Sequence, residues 1–285
     1  MPNLVLEGGG IKCAYQVGAL LAFEQKGYKF TSISGASFGA LNGALYIEGG
    51  TSRLLDFYFH LHAKDIYLDD FVVEAVENFK GKDEDLAPFL LNMLKTKADY
   101  LSSREKVSDS YHAYVKSAVN AESIKNSSID FSCTVLEVTN STLVLGMLAV
   151  AYFKDRSVLN TLYANGTIKG HVINLKEVNQ KFIPDYIAAS ANYPFFIPLP
   201  VEGKEYLDGG IYDNLPYRKY TDTKEETFII RTHCEPLNDF PKDNPNLILI
   251  TPKTYLGSSL KFTKSNVERL IKLGYEETKE FLENR

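Results

Sequence analysis

The stretch TSISGASFGALNGALYI, residues 31–47, is the part of the sequence that decides the fold. Its first four residues are typical of a short β-strand, and the small and apolar residues from Ala40 to about Ile47 predict a helix. The GxSxG sequence between them, centred on Ser37, is typical of a sharp strand-to-helix turn. Such a turn presents the serine hydroxyl at the carboxyl edge of a sheet, so Ser37 is a candidate nucleophile.

The residues around Ser37 are interpreted as its support. Gly35 and Gly39 flank the serine, where side chains would clash with neighbouring backbone in a turn of this kind. Phe38, between Ser37 and Gly39, belongs to the same supporting group. The helix that follows directs the positive end of its dipole toward Ser37, which favours negative charge developing there.

A second strand-to-helix turn lies upstream, in NLVLEGGGIK at residues 3–12. The first five of these residues predict a buried strand, and residues 14–26 predict a helix. Gly8, Gly9 and Gly10 expose successive backbone N–H groups at the helix start, which suits a phosphate or an oxyanion. Two strand–helix units so close together predict a parallel α/β sheet with right-handed crossovers.

A third element, YLDGG, lies late in the chain at residues 206–210. Asp208 ends a predicted short strand, and Gly209 and Gly210 let its carboxylate be aimed with little steric hindrance. By itself this pattern is typical of an ordinary Asp-Gly turn. Asp208 is therefore a candidate base only in combination with the serine turn and the glycine loop.

Together, GGGIK, GASFG and the late DGG make this sequence resemble the patatin-like phospholipase family. AASANYPFFIPLP at residues 188–200, which precedes EYLDGGIYDNLP at 205–216, is similar to the family's segment around its catalytic aspartate. The C-terminal residues 256–282 are similar to its closing helix. The resemblance covers residues 3–50 and 183–283 well, and the middle of the chain only loosely.

The resemblance implies a three-layer α/β fold with a mostly parallel central sheet flanked by helices. It also implies a lipid acyl hydrolase of the phospholipase A or lysophospholipase type, which uses a serine–aspartate dyad without a histidine, a metal or a cofactor. By this comparison Ser37 is the nucleophile and Asp208 the base, and the N–H groups of Gly8, Gly9 and Gly10 line an oxyanion hole.

Three residues near the glycine loop, Lys12, Glu7 and Cys13, stand at positions where the family has a preferred residue type. Lys12 stands where the family has arginine or lysine, and it adds positive charge beside the loop. Glu7 replaces the commoner aspartate, and Cys13 replaces the usual glycine. Neither replacement removes a group that the resemblance makes catalytic.

Elementary chemistry is consistent with the dyad. A serine hydroxyl is a weak nucleophile that needs an adjacent base. A carboxylate with its usual pKa of about 4 is a poor base unless burial raises that value. We therefore predict two-step acyl transfer, in which Ser37 forms an acyl-enzyme and Asp208 activates the water that hydrolyses it.

Two alternatives stay open at this point. Ser37, Asp208 and His233 occur in the order of an α/β-hydrolase triad, although the serine turn comes earlier in the chain than in that fold. The second alternative is a non-catalytic phosphate- or nucleotide-binding or interaction module that uses the Gly8–Gly10 loop. A dinucleotide fingerprint fits poorly, because Cys13 stands where its third glycine belongs.

The rest of the chain predicts one domain over residues 1–285 with a helical insertion at about residues 51–127. Further elements are predicted as follows: strand character from 129 to 153 around a turn at Asn140-Ser141, a helix at 181–190, strands at 226–232 and 246–250, and a C-terminal helix with a capping box of Ser265 and Glu268.

Composition limits the classes of partner. The net charge of −5 argues against a nucleic-acid binder. The longest apolar run, Leu143–Phe153, has 11 residues, whereas a spanning helix needs roughly 20. With no secretory signal, we expect a cytoplasmic protein whose substrate is a lipid at a membrane or micelle surface.

Two apolar segments, Leu143–Phe153 and Pro194–Pro200, are candidates for an apolar rim that contacts the lipid. The sequence leaves open the lipid class, the oligomeric state and whether an activating protein is needed.

Overall fold

The computed structural model describes residues 1–67, 98–139, 157–193 and 196–285, together with a few isolated positions between 73 and 79. Within residues 98–107 it describes the main chain only. Several predictions fall wholly or partly outside these residues. They are the turn at Asn140-Ser141, the apolar run Leu143–Phe153, parts of the helical insertion at about 51–127 and of the strand character at 129–153, and the first two residues of the Pro194–Pro200 segment.

In the described residues, eight strands form one mixed sheet. The strands are β1 Asn3–Leu6, β2 Ser32–Gly35, β3 Asp130–Val138, β4 Ile168–Asn174, β5 Leu199–Val201, β6 Lys204–Asp208, β7 Thr227–Ile230 and β8 Leu247–Ile250. The helices are α1 Ala14–Gln25, α2 Phe38–His60, α3 Ala63–Tyr67, α4 Ala98–Ala118, α5 Ala121–Asn126, α6 Ser157–Ala164, α7 Ile183–Ser190, α8 Gly210–Asp213 and α9 Lys264–Glu283. Short 3-10 helices span Gly10–Cys13, Gln180–Phe182 and Arg218–Tyr220.

The order of the sheet is β5-β6-β3-β2-β1-β7-β8, and β4 pairs with the other edge of β3. Neighbouring strands from β3 through β2, β1 and β7 to β8 pair in parallel. β4, β5 and β6 are joined through antiparallel pairs. The predicted α/β class with a mostly parallel central sheet flanked by helices is confirmed.

β3 brings the ends of two distant strands together. Its first residues pair in parallel with β2, where Cys133 lies opposite Gly35. Its last residues pair antiparallel with β6, where Val135 lies opposite Asp208. Because β4 occupies the other edge of β3 over Ser132–Val138, β2 and β6 share one edge and meet end to end. The turn after β2, which carries Ser37, and the end of β6, which carries Asp208, therefore lie next to each other.

Alternate residues of the central strands face opposite sides of the sheet, as the two-residue period of a strand requires. In β1, Leu4 and Leu6 pack into the large core with residues of α1, α2, α7 and α9. Val5 faces a smaller core on the opposite side, together with Ile229 of β7 and Tyr220 of a 3-10 helix. The sheet is thus the middle layer of three.

The C-terminal helix α9 packs directly against α1. A Cβ at Gly18 would collide with the carbonyl oxygen of Ile271, and a Cβ at Gly274 would collide with that of Tyr15. The two backbones touch at these glycines, which allows extensive burial between the helices. Alanine at either position would force the helices apart.

The predicted capping box at the start of α9 is wrong. The helix begins after Thr263, which makes no side-chain cap hydrogen bond, so Ser265 already lies inside the helix. The N–H of Val267 donates to the carbonyl of Thr263 at 3.0 Å, which is the first helical hydrogen bond. Glu268 consequently has no capping role at this helix end.

Residues 51–127 are mainly helical where the structure describes them. The span of α2 is interrupted by non-helical backbone at Gly49 and Gly50, so residues 51–60 form a helical segment of their own after a kink, in agreement with the predicted start of the helical region at about residue 51. α3, α4 and α5 follow, and the described residues between 61 and 129 contain no strand. The helix and strands predicted near residues 181–190, 226–232 and 246–250 correspond to α7, β7 and β8.

Candidate active site

The turn between β2 and α2 has the sharp geometry that its sequence predicts. Ser37 has a φ of 54° and a ψ of −133°, a sparsely populated conformation for a residue with a side chain. Gly39 lies so close to the carbonyl oxygen of Leu6 that a Cβ would not fit, and Gly35 lies equally close to the main chain of Ala40. These contacts hold Ser37 at the carboxyl edge of the sheet.

The other supporting residues are also tightly packed. Phe38 is buried, with its ring centroid 5.7 Å from that of Phe262. Gly209 lies against the main chain of Thr134 in β3, where a Cβ would collide. The N–H of Gly210 donates to Oδ1 of Asp208 at 2.7 Å.

The structure brings Ser37 and Asp208 into direct contact. Oγ of Ser37 donates a hydrogen bond to Oδ2 of Asp208 at 2.7 Å, although the two residues are 171 positions apart. Both are buried, with exposures of 7% and 6%. The carboxylate is therefore placed to accept the proton of this hydroxyl.

Burial changes the acid–base behaviour of Asp208. Desolvation raises its pKa from 3.8 to about 7, although the hydrogen bonds from Ser37 and from the N–H of Gly210 act in the opposite direction. A carboxylate with a pKa near neutrality is a much better base than an exposed one. Burial thus gives Asp208 the raised pKa that a carboxylate needs to act as a base toward a serine hydroxyl.

The glycine loop lies beside Ser37, but its three N–H groups are not equivalent. A Cβ on Gly8 would lie 3.0 Å from Cβ of Ser37, which places the loop against this serine. The N–H of Gly8 donates to the carbonyl of Asn214 at 3.0 Å and is therefore already used. Among the described residues we find no acceptor for the N–H groups of Gly9 and Gly10. These two N–H groups are therefore the candidates for binding an oxyanion.

Lys12 lies in a buried charged cluster rather than in solvent. Its exposure is 6%, and its Nζ lies 2.8 Å from Nε2 of His233. An ammonium only donates, so Nε2 accepts and the ring proton sits on Nδ1, which faces Oε1 of Glu7 at 3.2 Å. Burial lowers the pKa of Lys12, although the carboxylate of Glu7 opposes this change.

Glu7 is the anion at the centre of this cluster. Its Oε2 accepts hydrogen bonds from the N–H groups of Thr232 at 2.5 Å and His233 at 3.2 Å. Burial alone would raise the pKa of Glu7, but His233, the Thr232 N–H and the Arg231 guanidinium together hold it below its ordinary value. Glu7 thus stays ionised and neutralises part of the buried positive charge.

The geometry does not favour a Ser37–Asp208–His233 triad. In a triad the imidazole stands between the serine and the acid, whereas Ser37 and Asp208 contact each other directly. Both ring nitrogens of His233 have other partners, Lys12 and Glu7. His233 is bound to the glycine-loop cluster instead.

Sequence reasoning missed several residues that hold the site together. The N–H of Ser37 donates to Oγ of Ser190 at 3.0 Å, and the N–H of Asp208 donates to the carbonyl of Asn192 at 2.9 Å. Nδ2 of Asn214 donates to the carbonyl of Gly8 at 3.1 Å. Single small polar residues at a helix end or in a loop carry no periodic signal that would reveal such partners.

Comparison with known proteins identifies the family of this chain. The model of the family described as patatin-like phospholipase matches residues 4–219, which is more than half of the chain. The chain belongs to the patatin-like phospholipase family. The match includes the glycine loop, the serine turn and the aspartate of this patatin-like chain.

The individual proteins that this chain resembles share little of its sequence. The patatin-like chain is 24% identical over 216 residues to lysophospholipase NTE1 of Chaetomium globosum; the match covers 75% of this chain but only 10% of that protein. The crystal structure of VipD from Legionella pneumophila superimposes with a TM-score of 0.53 at 14% identity, covering 99% of this chain and 67% of that one. The second comparison shows a shared fold.

None of the helices that the structure describes in this patatin-like chain combines the length and apolar composition needed to cross a bilayer.

Proposed function

We propose that this protein is a lipid acyl hydrolase of the phospholipase A or lysophospholipase type, which cleaves carboxylic esters through Ser37 and Asp208. The observation that carries the proposal is the 2.7 Å hydrogen bond from Oγ of Ser37 to Oδ2 of Asp208 in a buried site. A nucleophile in contact with its base is the minimum arrangement for covalent acyl transfer.

In the first step, Oγ of Ser37 attacks the ester carbonyl carbon while its proton passes to Oδ2 of Asp208. The carbonyl oxygen becomes an oxyanion in the tetrahedral intermediate. Collapse of the intermediate breaks the ester bond, and the leaving alcohol takes the proton back from Asp208. The products are an acyl group on Ser37 and a free alcohol.

The oxyanion is stabilised by the glycine loop. The N–H groups of Gly9 and Gly10 lack acceptors among the described residues, and the positive end of the α2 dipole points toward Ser37. Gly8 does not donate to the oxyanion, because its N–H already donates to the carbonyl of Asn214; this hydrogen bond instead holds the loop in place. Lys12 adds positive charge behind the loop, although its side chain is held by His233.

In the second step, water replaces the alcohol. Asp208 takes a proton from the water as it attacks the acyl carbon, and Ser37 leaves with that proton. The carboxylate is thus base and acid in turn, which its near-neutral pKa permits.

The proposed substrate class, a phospholipid or lysophospholipid, rests on the comparisons with known proteins. The family is described as patatin-like phospholipases, and a curated relative is named a lysophospholipase. Peripheral contact with a membrane or micelle surface would deliver such a substrate. The chain spans about a tenth of the length of that relative, so the head group and acyl chain are left to experiment.

The test uses a fluorophosphonate probe with the wild-type protein, followed by mapping of the labelled peptide. We expect a single adduct on Ser37, and hydrolysis of long-chain fluorogenic esters and of phospholipid or lysophospholipid in micelles. An adduct on another residue, or no labelling with vesicles or detergent present, would contradict the proposal and revive the binding-module alternative.

The proposed mechanism predicts a specific pH dependence. Asp208 must be ionised to accept the serine proton, and burial raises its pKa to about 7. The rate of labelling should therefore fall about tenfold per pH unit below a midpoint near neutrality. Labelling rates measured from pH 5 to 9 check this, and a rate unchanged down to pH 5 would contradict it.

Replacement of His233 distinguishes the dyad from the triad. His233→Gln should retain kcat within about tenfold of the wild type, because the imidazole contacts Lys12 and Glu7 rather than the reacting atoms. His171→Gln is a matched control, since that ring contacts Glu137 at 2.8 Å in β3. A complete loss of turnover in His233→Gln alone would favour the triad.

A further inference from the structure

The C-terminal end of α7 forms hydrogen bonds with the main chain on both sides of the dyad. Oγ of Ser190 accepts the N–H of Ser37 at 3.0 Å, and the carbonyl of the same serine accepts the N–H of Gly209 at 3.0 Å. Two residues later, the carbonyl of Asn192 accepts the N–H of Asp208 at 2.9 Å. One short segment thus binds the main chain of both the nucleophile and the base.

The Ser37 turn needs such a partner. Its φ and ψ of 54° and −133° lie outside both strand and helix, so its N–H has no place in either regular hydrogen-bond pattern. The residue is buried, where a donor without an acceptor would be costly. Oγ of Ser190, which is itself fully buried, is the acceptor that satisfies this N–H.

The segment that carries Ser190 is itself held firmly. Nδ2 of Asn192 donates to the carbonyls of Ile197 at 2.9 Å and Tyr206 at 3.1 Å. Nε2 of His112, on α4, lies 2.9 Å from Oδ1 of Asn192. The hydroxyl of Tyr111 donates to the carbonyl of Ala191 at 2.7 Å. The segment can therefore act as a rigid support.

We propose that Ser190 is a positioning residue for the acyl transfer: its hydroxyl holds the Ser37 turn, and its carbonyl holds the Asp208 loop, at the spacing that proton transfer needs. The inference rests on the proposed function. Misplacement of reacting groups by about 1 Å can cost about 100-fold in rate, so loss of this clamp should be visible in kcat.

Ser190→Ala is the direct test. We expect kcat and the fluorophosphonate labelling rate to fall about 10- to 100-fold, with KM little changed, because Ser190 does not touch substrate. Ser190→Thr retains the acceptor oxygen and should recover most of the rate. If either variant fails to fold, Ser190→Cys supplies a weak acceptor of similar size and should give an intermediate rate.

Ser32→Ala is the matched control. Ser32 is also buried, and its hydroxyl lies 2.7 Å from that of Tyr220 at the opposite end of β2. This variant loses a buried hydrogen bond of the same kind, so its thermal midpoint should fall about as much as that of Ser190→Ala while its labelling rate stays at the wild-type level.

The pH profile separates positioning from general loss of structure. The hydrogen bond from Ser37 lowers the pKa of Asp208, and the nearby titratable groups, Tyr111 and Cys13, are kept neutral by burial. If Ser37 moves away in Ser190→Ala, the midpoint of the labelling profile should rise above that of the wild type. Ser32→Ala should leave it unchanged.

Two results would overturn the inference. One is Ser190→Ala labelled at the wild-type rate with an unchanged pH midpoint. The other is an equal loss of rate in Ser190→Ala and Ser32→Ala. Absence of labelling in the wild type would instead contradict the proposed function itself, so the two failures are distinguishable.

Discussion

Replacement of Ser37 by alanine is expected to abolish ester hydrolysis and fluorophosphonate labelling while the protein stays folded. The variant has no nucleophile, and water cannot be placed as the hydroxyl is, so we expect kcat to fall by about 10⁴-fold or more. Alanine keeps the Cβ and the main-chain N–H that donates to Ser190. The turn itself should therefore survive.

Ser34→Ala controls for the loss of a buried serine hydroxyl close to Ser37. Ser34 lies in β2, three residues before Ser37, and its Oγ accepts a hydrogen bond from Ser132 at 3.1 Å. Its activity should stay near the wild-type value. Thermal midpoints and circular dichroism check the folding of both variants. Turnover of long-chain esters by folded Ser37→Ala at more than a few per cent of the wild-type rate would exclude Ser37 as the nucleophile.

Asp208→Asn is expected to lower kcat by about 10³- to 10⁴-fold and to raise stability at the same time. In the wild type, the two carboxylate oxygens accept from Ser37 and from the N–H of Gly210. In the variant, the amide oxygen can accept from Gly210 while Nδ2 donates to Oγ of Ser37, but the amide cannot take up the proton. Binding of substrate should change little, so the loss should be in kcat rather than in KM.

The gain in stability follows from the raised pKa of Asp208. Its folded-state pKa of about 7 lies above the ordinary value of 3.8, so the folded state is penalised for ionising this carboxyl. The penalty grows as the pH rises from about 4 to about 7 and is fully present above 7, at about 1.4 kcal/mol per unit of pKa shift. The uncharged amide of the Asp208→Asn variant carries no such penalty. The unfolding midpoint of this variant should exceed that of the wild type at pH 8 and approach it at pH 4.

Asp213→Asn is the matched control for this change. The carboxylate of Asp213 accepts from the N–H of Leu215 at 3.2 Å and pairs with Arg218 at 3.2 Å, away from Ser37. This variant should keep its activity and gain no stability. An Asp208→Asn protein with full activity would exclude the dyad, whereas an inactive but destabilised one would contradict the proposed burial of an ionised base.

Much of the fold follows from local sequence pattern. Short apolar runs such as Asn3–Leu6 and Thr227–Ile230 form the predicted strands, and the glycine-containing turns after β1 and β2 start the predicted helices. These signals are readable because strand and helix periods are properties of neighbouring residues. The predicted cap of α9 is wrong, since the helix already begins after Thr263 and contains both Ser265 and Glu268.

The candidate site was readable only as separate parts. The sequence contained a serine in a strand-to-helix turn, a loop of three glycines and an aspartate after a strand, and the family pattern joined them. No local pattern shows that the N–H of Gly8 is used by Asn214, that Lys12 is held by His233, or that Ser190 supports the serine turn.

By itself, the sequence determined the strand–helix order, the turns that carry Ser37 and Gly8–Gly10, and membership of a recognisable family. Only the tertiary structure decided that β2 and β6 end against each other on one edge of β3. That pairing brings Ser37 to Asp208 across 171 residues and buries the carboxylate, which raises its pKa. The physical reason is that turn and strand propensities act over a few residues, whereas contact, burial and pKa depend on which distant segments exclude water together.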